Sequence, residues 1–427
     1  MTTATQPESA EPIEEQKWPE ENLASTVDQR GGFYPTRLGE MFEDGRFVVT
    51  RKLGWGAFSS VWLARDRLND RHVALKILSA YGSKRTATGQ LTESKVLARL
   101  ASSNPSHRGF PHVLPFLEEF TFESFAGQHV CFVTEPLSFN VPTLRSYLPN
   151  KVFPLKLILN LVEDLLKGLE YLHDECGIVH SDLSPSNILL RPFDLDEIIM
   201  HQLAEEPSTI YGFPHTVSPK DLPFHPVSSI PLPFFHKSDS GERLHWVITD
   251  LGEAQFTDKP LTRIAQSYAL RAPEVIMGLE YGPPIDIWSL GCLMYEFIAG
   301  QWLFDPKRSD DIPMEIDHLA QITQRTGEHF NEAVLQNYAL RKEIKDITGR
   351  VILEKFIPHL YCWTEMLENA KARNSHMGLV GSDFIYNKAD SQEVEEVIKF
   401  IKSCLTLDPA KRISAKEALN NPIFEDS

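Results

Sequence analysis

The chain has 427 residues, of which 42% are hydrophobic and 24% charged, with a formal net charge of −17. That is the composition of a soluble globular protein, long enough for two lobes plus tails. The acidity argues against direct contact with nucleic acid or anionic membranes and for basic partners. Five scattered cysteines without a C-x-x-C pair argue against a disulfide framework or a zinc site and for a reducing compartment.

No apolar run reaches the length of a membrane span without charge, and the first ten residues lack the order of a signal peptide. A monomer in the cytosol, with access to the nucleus left open, is the expectation. Residues 1–30 hold seven acidic residues against one Lys and one Arg, which predicts a disordered acidic tail. Strands are predicted at Phe47–Leu53, Val61–Ala64, His72–Leu78, Phe116–Phe122 and Val130–Thr134, with one helix over 90–101. They make a first lobe over 31–137. From 138 to 427 the chain is mainly helical. Ile158, Leu161, Val162, Leu165, Leu169 and Leu172 fall on one helical face, and Ile285–Ala299 is apolar almost all round, as in a helix buried on every side. Helices are also predicted over Glu393–Cys404 and Ala415–Leu419. Residues 191–240 carry eight prolines and read as an extended insertion without regular structure.

Several short motifs carry chemistry. Leu53 leads into Gly54-Trp55-Gly56-Ala57-Phe58-Ser59-Ser60-Val61, between two predicted strands. Glycines there let backbone approach a triphosphate. A hairpin turn is the plainer reading, and a dinucleotide-binding turn would need a helix where this chain has a strand. Lys76, in Val73-Ala74-Leu75-Lys76, can neutralise phosphate charge, and Glu93 on the next helix is its natural partner. In His180-Ser181-Asp182-Leu183-Ser184-Pro185-Ser186-Asn187, Asp182 and Asn187 have the spacing of a proton acceptor and a magnesium ligand. Asp250-Leu251-Gly252, after the apolar run Trp246–Thr249, offers a second magnesium ligand. Glu274 of Ala272-Pro273-Glu274 follows Asp250 by 24 positions. Arg412 is its natural ion-pair partner, and Asp286 opens the buried helix. Each of these residues alone reads as readily as packing or surface charge. Seven such signals in one order, on compatible elements, do not.

In that order the motifs resemble those of the eukaryotic protein kinases, over about residues 40–425. The tryptophan of Gly54-Trp55-Gly56, the Asp-Leu-Gly motif and the 62 residues between Asn187 and Asp250 are similar to those of the SR-protein kinases, which phosphorylate Ser/Arg-rich splicing factors. Arg271 before Ala-Pro-Glu matches the wider group that includes cyclin-dependent, MAP and dual-specificity kinases, and residues 303–390 fit that group's extra helical insert. The resemblance implies an α+β, bilobal fold with a small β-rich N-lobe carrying one main helix and a larger helical C-lobe. It implies ATP with Mg2+ as cofactors and a basic Arg/Ser-rich protein as substrate. Ala74, Thr134, Glu135 and Leu137 would line the adenine pocket, with Thr134 deepest. Asp317 and Arg271 would lie on a groove for arginine-rich peptide.

The chain also departs from that pattern. Ser184 replaces the catalytic-loop lysine, which implies reduced or substrate-restricted activity. The alternative reading is a pseudokinase or ATP-binding scaffold. Ser181 replaces the arginine that clamps an activation-segment phosphate, so phosphorylation at Thr257, Thr262, Ser267 or Tyr268 is expected to be dispensable. Gln324 stands where a second docking acid is expected, which weakens arginine docking.

Overall fold

Aromatic and β-branched runs build the first lobe. The computed structural model describes residues 19–148, 153–192, 195–212, 225–233, 243–258, 261, 265–308, 313–330, 363 and 391–425. Strands β1 (Met41–Phe42), β2 (Phe47–Gly56), β3 (Ser59–Asp66), β4 (Arg71–Leu78), β5 (Phe116–Ser124) and β6 (Gly127–Thr134) form an antiparallel sheet in the order β1-β2-β3-β4-β6-β5. Successive residues of β6 face opposite sides. Cys131 and Val133 join Phe47, Trp62 and Leu75 in one apolar cluster. Phe132 joins Val96, Leu97 and Leu100 of helix α2 (Glu93–Ser102) in another. The sheet has one short strand more than the five predicted. A second helix, α1 (Ala80–Ala87), is capped by Ser79, whose Oγ accepts from the Gly82 N–H at 3.1 Å.

The second lobe is organised around two long helices. After α3 (Val141–Tyr147), α4 (Leu155–Glu170) carries the predicted apolar face. The short ladders β7–β10 (Ile178–Val179 with Gln255–Phe256) and β8–β9 (Ile188–Leu190 with Trp246–Ile248) flank the 180–187 loop and the turn at Asp250. They bring Asn187 and Asp250, with 62 residues between them, into one cleft. Beyond α5 (Leu195–Glu205) and α6 (Pro273–Ile276) comes α7 (Pro284–Ala299), buried over nearly its whole circumference as its composition predicts. A Cβ on Gly291 would sit 2.8 Å from the Cys404 Cβ, so glycine permits the close approach of α9 (Ser391–Cys404). Helices α8 (Met314–Thr326) and α10 (Ala415–Ala418) complete the lobe among the described residues. Most of the expected 303–390 insert, and Thr262, lie outside them.

Arg412 and Glu274 are both buried and form a two-pronged pair, with N–O distances of 2.7 and 3.0 Å. A third Arg412 bond, 2.8 Å to the Pro284 carbonyl, ties the pair to the start of α7. Removing one partner of such a pair leaves an uncompensated buried charge, at a cost of about 3–5 kcal/mol. Arg412→Ala should therefore lower Tm in thermal unfolding far more than Lys411→Ala, whose side chain is 77% exposed.

Two expectations are corrected. Residues 19–30 are not a disordered tail. Leu23 and Glu21 are buried, and Thr26 and Gln29 form a reciprocal cap on a 3-10 turn at Val27–Gln29. Composition misses this because two of the acids, Glu20 and Glu21, each reach the buried Lys52 Nζ at 2.6 Å. Nor does 191–240 lack regular structure, since α5 lies within it. Its prolines at 192 and 207 flank the helix, and Asp196 and Glu197 in the first turn favour its N-terminal dipole.

Candidate active site

A cleft of about 320 Å3 lies between the glycine turn and the 180–187 loop. Leu53, Gly54, Trp55, Gly56, Ser59, Val61, Ala74, Lys76, Thr134, Glu135 and Leu137 line it as expected, together with Asn187 and Asp250. Three predicted members do not. Ala57 is exposed at the tip of the turn, and the Phe58 ring packs against Tyr81 at 5.4 Å. Ser60 Oγ is turned into the sheet, where it accepts from Trp62 Nε1 at 2.9 Å. Strand alternation explains this: Ser59 and Val61 face the cleft, so Ser60 cannot.

Lys76, on β4, donates to Glu93 Oε1 at 2.5 Å and to Asp250 Oδ1 at 3.2 Å. Burial works against its charge, but the two carboxylates outweigh it and hold its pKa above the ordinary value. Asp250 in turn is held low, chiefly by the Lys76 charge, so it stays ionised. Its φ of 56° is left-handed, uncommon for a residue with a side chain. Such conformations persist where surrounding structure enforces them, often at functional sites.

The 180–187 loop is pinned from below. Asp286, fully buried at the start of α7, accepts from the backbone N–H groups of His180 at 2.8 Å and Ser181 at 3.0 Å. Ser181 itself has φ 69°, so these bonds secure a strained turn. Asp182 leaves that turn with its N–H donating to His180 Nδ1 at 3.2 Å, while His180 Nε2 donates to the Thr249 carbonyl at 2.9 Å. Asn187 Nδ2 donates to the Asp182 backbone carbonyl at 2.9 Å and to its Oδ2 at 3.3 Å. The amide nitrogen is thus spent on Asp182, which leaves the Asn187 Oδ1 lone pairs for another partner. Desolvation pushes the Asp182 pKa up. Asn187 Oδ1 and the Asp250 carboxylate are hard oxygen donors, suited to Mg2+, which takes one or two protein carboxylates and completes its shell with water and phosphate.

Sequence reasoning missed the wall made by the insertion. Pro231 and Leu232 line the same cleft. Leu232 is buried with Leu63, Ile199 and Leu53, and its carbonyl accepts from Ser138 Oγ at 3.0 Å. The Ile230 N–H donates to the Lys52 carbonyl at 2.9 Å, and the Ser229 N–H to Glu20 Oε1 at 2.7 Å. Arg51, paired with Leu63 in the sheet, bonds carbonyls of Gln202 and Glu206 at the C-terminal end of α5. Only the apolar spacing of Ile199, Leu203 and Leu232 hints at this docking in the sequence. Leu232→Ala should raise the KM for ATP about fivefold and leave the peptide KM unchanged, as steady-state titration of each substrate would show.

Arg271 packs over the Tyr268 ring at 4.4 Å and donates to the carbonyls of Ala265 at 3.0 Å and Gln266 at 2.8 Å. It therefore shapes the activation segment from within. Asp317 Oδ2 accepts from the Lys307 N–H and from Gln321 Nε2, both at 2.8 Å, and so braces the 305–307 turn.

A two-lobed fold with this nucleotide cleft, anchored lysine and paired Asp–Asn loop defines a protein kinase. The protein kinase domain family accordingly matches residues 47–199 and 239–424. Among curated proteins the chain is similar to the serine/threonine-protein kinase SRPK of Physarum polycephalum, 30% identical, with 93% of this chain and 90% of that protein covered. It is also similar to protein kinase dsk1 of Schizosaccharomyces pombe, 28% identical with 96% and 86% covered, and to SRSF protein kinase 3 of Mus musculus, 26% identical with 92% and 88% covered. The chain belongs to the SR-protein kinase family of serine/threonine protein kinases.

Proposed function

We propose that this kinase transfers the γ-phosphoryl group of ATP to serine in basic Arg/Ser-rich protein segments. The observation that carries this reading is the hydrogen-bonded junction of Asp182 and Asn187 in one cleft with the Lys76–Glu93–Asp250 cluster. Asp182 accepts the proton of the attacking serine hydroxyl and orients its oxygen. Lys76, steadied by Glu93, holds the α- and β-phosphates. Asn187 and Asp250 would hold Mg2+, which neutralises phosphate charge when bound. The backbone of Glu135 to Leu137 offers the hinge contacts for adenine. The SRPK and SRSF kinase names of the relatives support an Arg/Ser-rich substrate.

The test is phosphate transfer from labelled ATP with Mg2+ to an Arg/Ser peptide, beside Ser-Pro and Tyr peptides. Incorporation only into serine of the Arg/Ser peptide is expected. Transfer chiefly to Ser-Pro or Tyr overturns the substrate class. One observation favours a second reading, an ATP-binding scaffold without useful transfer: Ser184 presents no cation to the phosphates. ATP binding without transfer to any peptide would establish that reading instead.

Activation should not depend on a phosphate. Ser181 occupies the usual clamp position and serves as a neutral anchor. Its carbonyl accepts from the Gln266 N–H at 2.8 Å, and its Oγ accepts from Gln255 Nε2 at 3.3 Å. Phosphatase-treated enzyme is expected to keep its full rate in the same assay.

A further inference from the structure

A second groove, of about 710 Å3, opens directly below the catalytic loop, whose residues Ser184, Pro185 and Ser186 form its rim. Ser186 borders the nucleotide cleft as well, so the two cavities are neighbours along the catalytic loop. The lower groove is chiefly apolar. Tyr268, Leu270, Phe297, Trp302, Pro306 and Met314 supply its walls. Tyr268 is 50% and Trp302 57% exposed, so two large aromatic surfaces stand open to solvent beside the transfer site. Exposed aromatic anchors in an apolar groove are the usual mark of a recognition surface.

Charge decides which side chain this groove favours. An arginine would need a carboxylate without a counter-ion. The acids among the described lining residues are Glu296, whose carboxylate burial disfavours, and Asp305, which stands beside a lysine. Burial pushes the Glu296 pKa up against the opposing charge of Arg145, and Lys307 Nζ sits 2.7 Å from Asp305 Oδ2. At the other end, the Arg271 guanidinium lies 4.4 Å from the Tyr268 ring centroid, so a second cation on that ring would meet a like charge. Apolar walls with acids so placed favour a large uncharged side chain.

We infer that this groove selects a bulky apolar residue, of the Leu, Met or Phe kind, within three positions of the phosphoacceptor. Trp302 and Met314 are its specificity-determining residues. The inference rests on the protein-kinase reading and deepens it: among serines in basic segments, those flanked by such a residue are preferred.

The test reads binding rather than transfer. Fluorescent Arg/Ser peptides with the acceptor serine replaced by alanine carry Leu, Phe, Arg or Ala at each flanking position in turn. Their affinity for the full-length protein is measured by anisotropy. One position is expected to bind Leu or Phe about tenfold more tightly than Arg. Trp302→Ala and Met314→Ala should each erase that difference while leaving the affinity of the all-Arg peptide unchanged. A preference for Arg at every position overturns the inference, as does an apolar preference that survives both variants. Because no phosphate moves in this assay, a protein that fails to phosphorylate any peptide would sink the kinase proposal and leave this result readable.

Discussion

Asp182→Asn should lower kcat by about 10²–10⁴-fold while leaving ATP affinity nearly unchanged. The substitution keeps the side chain's shape but removes the site that takes the serine proton. It leaves Lys76, Glu93 and Asp250 in place, and the nucleotide depends on those residues. The expected signature is a collapse in single-turnover transfer with an unaltered dissociation constant for nucleotide. An equal loss in both would mean that Asp182 is needed for the shape of the cleft. The wild-type pH profile carries the same information. The base must be deprotonated to act, and desolvation holds the Asp182 pKa above that of an ordinary aspartate. The acidic limb of kcat should therefore lie at higher pH than a solvent-exposed aspartate would place it, and it should vanish from the residual activity of the variant.

Ser184→Lys should raise kcat by about 10²–10³-fold, the scale of one preorganised charge at a site where negative charge develops. Ser184 has extended backbone, φ −145° and ψ 162°, and lies on the rim of the lower groove. A lysine there needs no left-handed conformation and faces open space rather than packed core. The gain should fall on kcat, because the charge acts on the moving phosphoryl group rather than on bound adenine. No gain would mean that this position does not limit turnover, and that the chain has recovered the lost charge from elsewhere.

The class of enzyme was legible because its chemistry demands particular residue types at particular separations. Asp182 and Asn187 must share one loop, Lys76 must lie on a strand, and Asp250 must follow another. Periodicity placed most of the strands and the two long helices of the second lobe for a simpler reason, since burial on one face leaves a repeat in the chain. What stayed hidden depends on pairings between distant segments. Glu20 and Glu21 look like members of an acidic tail until Lys52 is seen buried beside them. Residues 229–232 look like proline-rich linker until Ser138 and Lys52 are seen to bond their backbone. The failures at Ala57, Phe58 and Ser60 are smaller. A motif marks a stretch of chain, whereas strand alternation decides which of its side chains face the nucleotide.

The bond between Glu20 and the Ser229 N–H closes a loop of 209 positions, and this sets an order of events during synthesis. Chains leave the ribosome at about 5–20 residues per second, and domains ordinarily fold as units from the N-terminal end. Here the sheet of the first lobe is complete once β6 has emerged, but the Lys52 carbonyl cannot meet the Ile230 N–H until residues 225–233 follow. For at least several seconds the nascent first lobe must carry Arg51 and the apolar face around Leu63 uncovered. Contacts of such long sequence separation are expected to form late in refolding. ATP binding should accordingly appear after the secondary structure when the denatured protein is diluted into buffer.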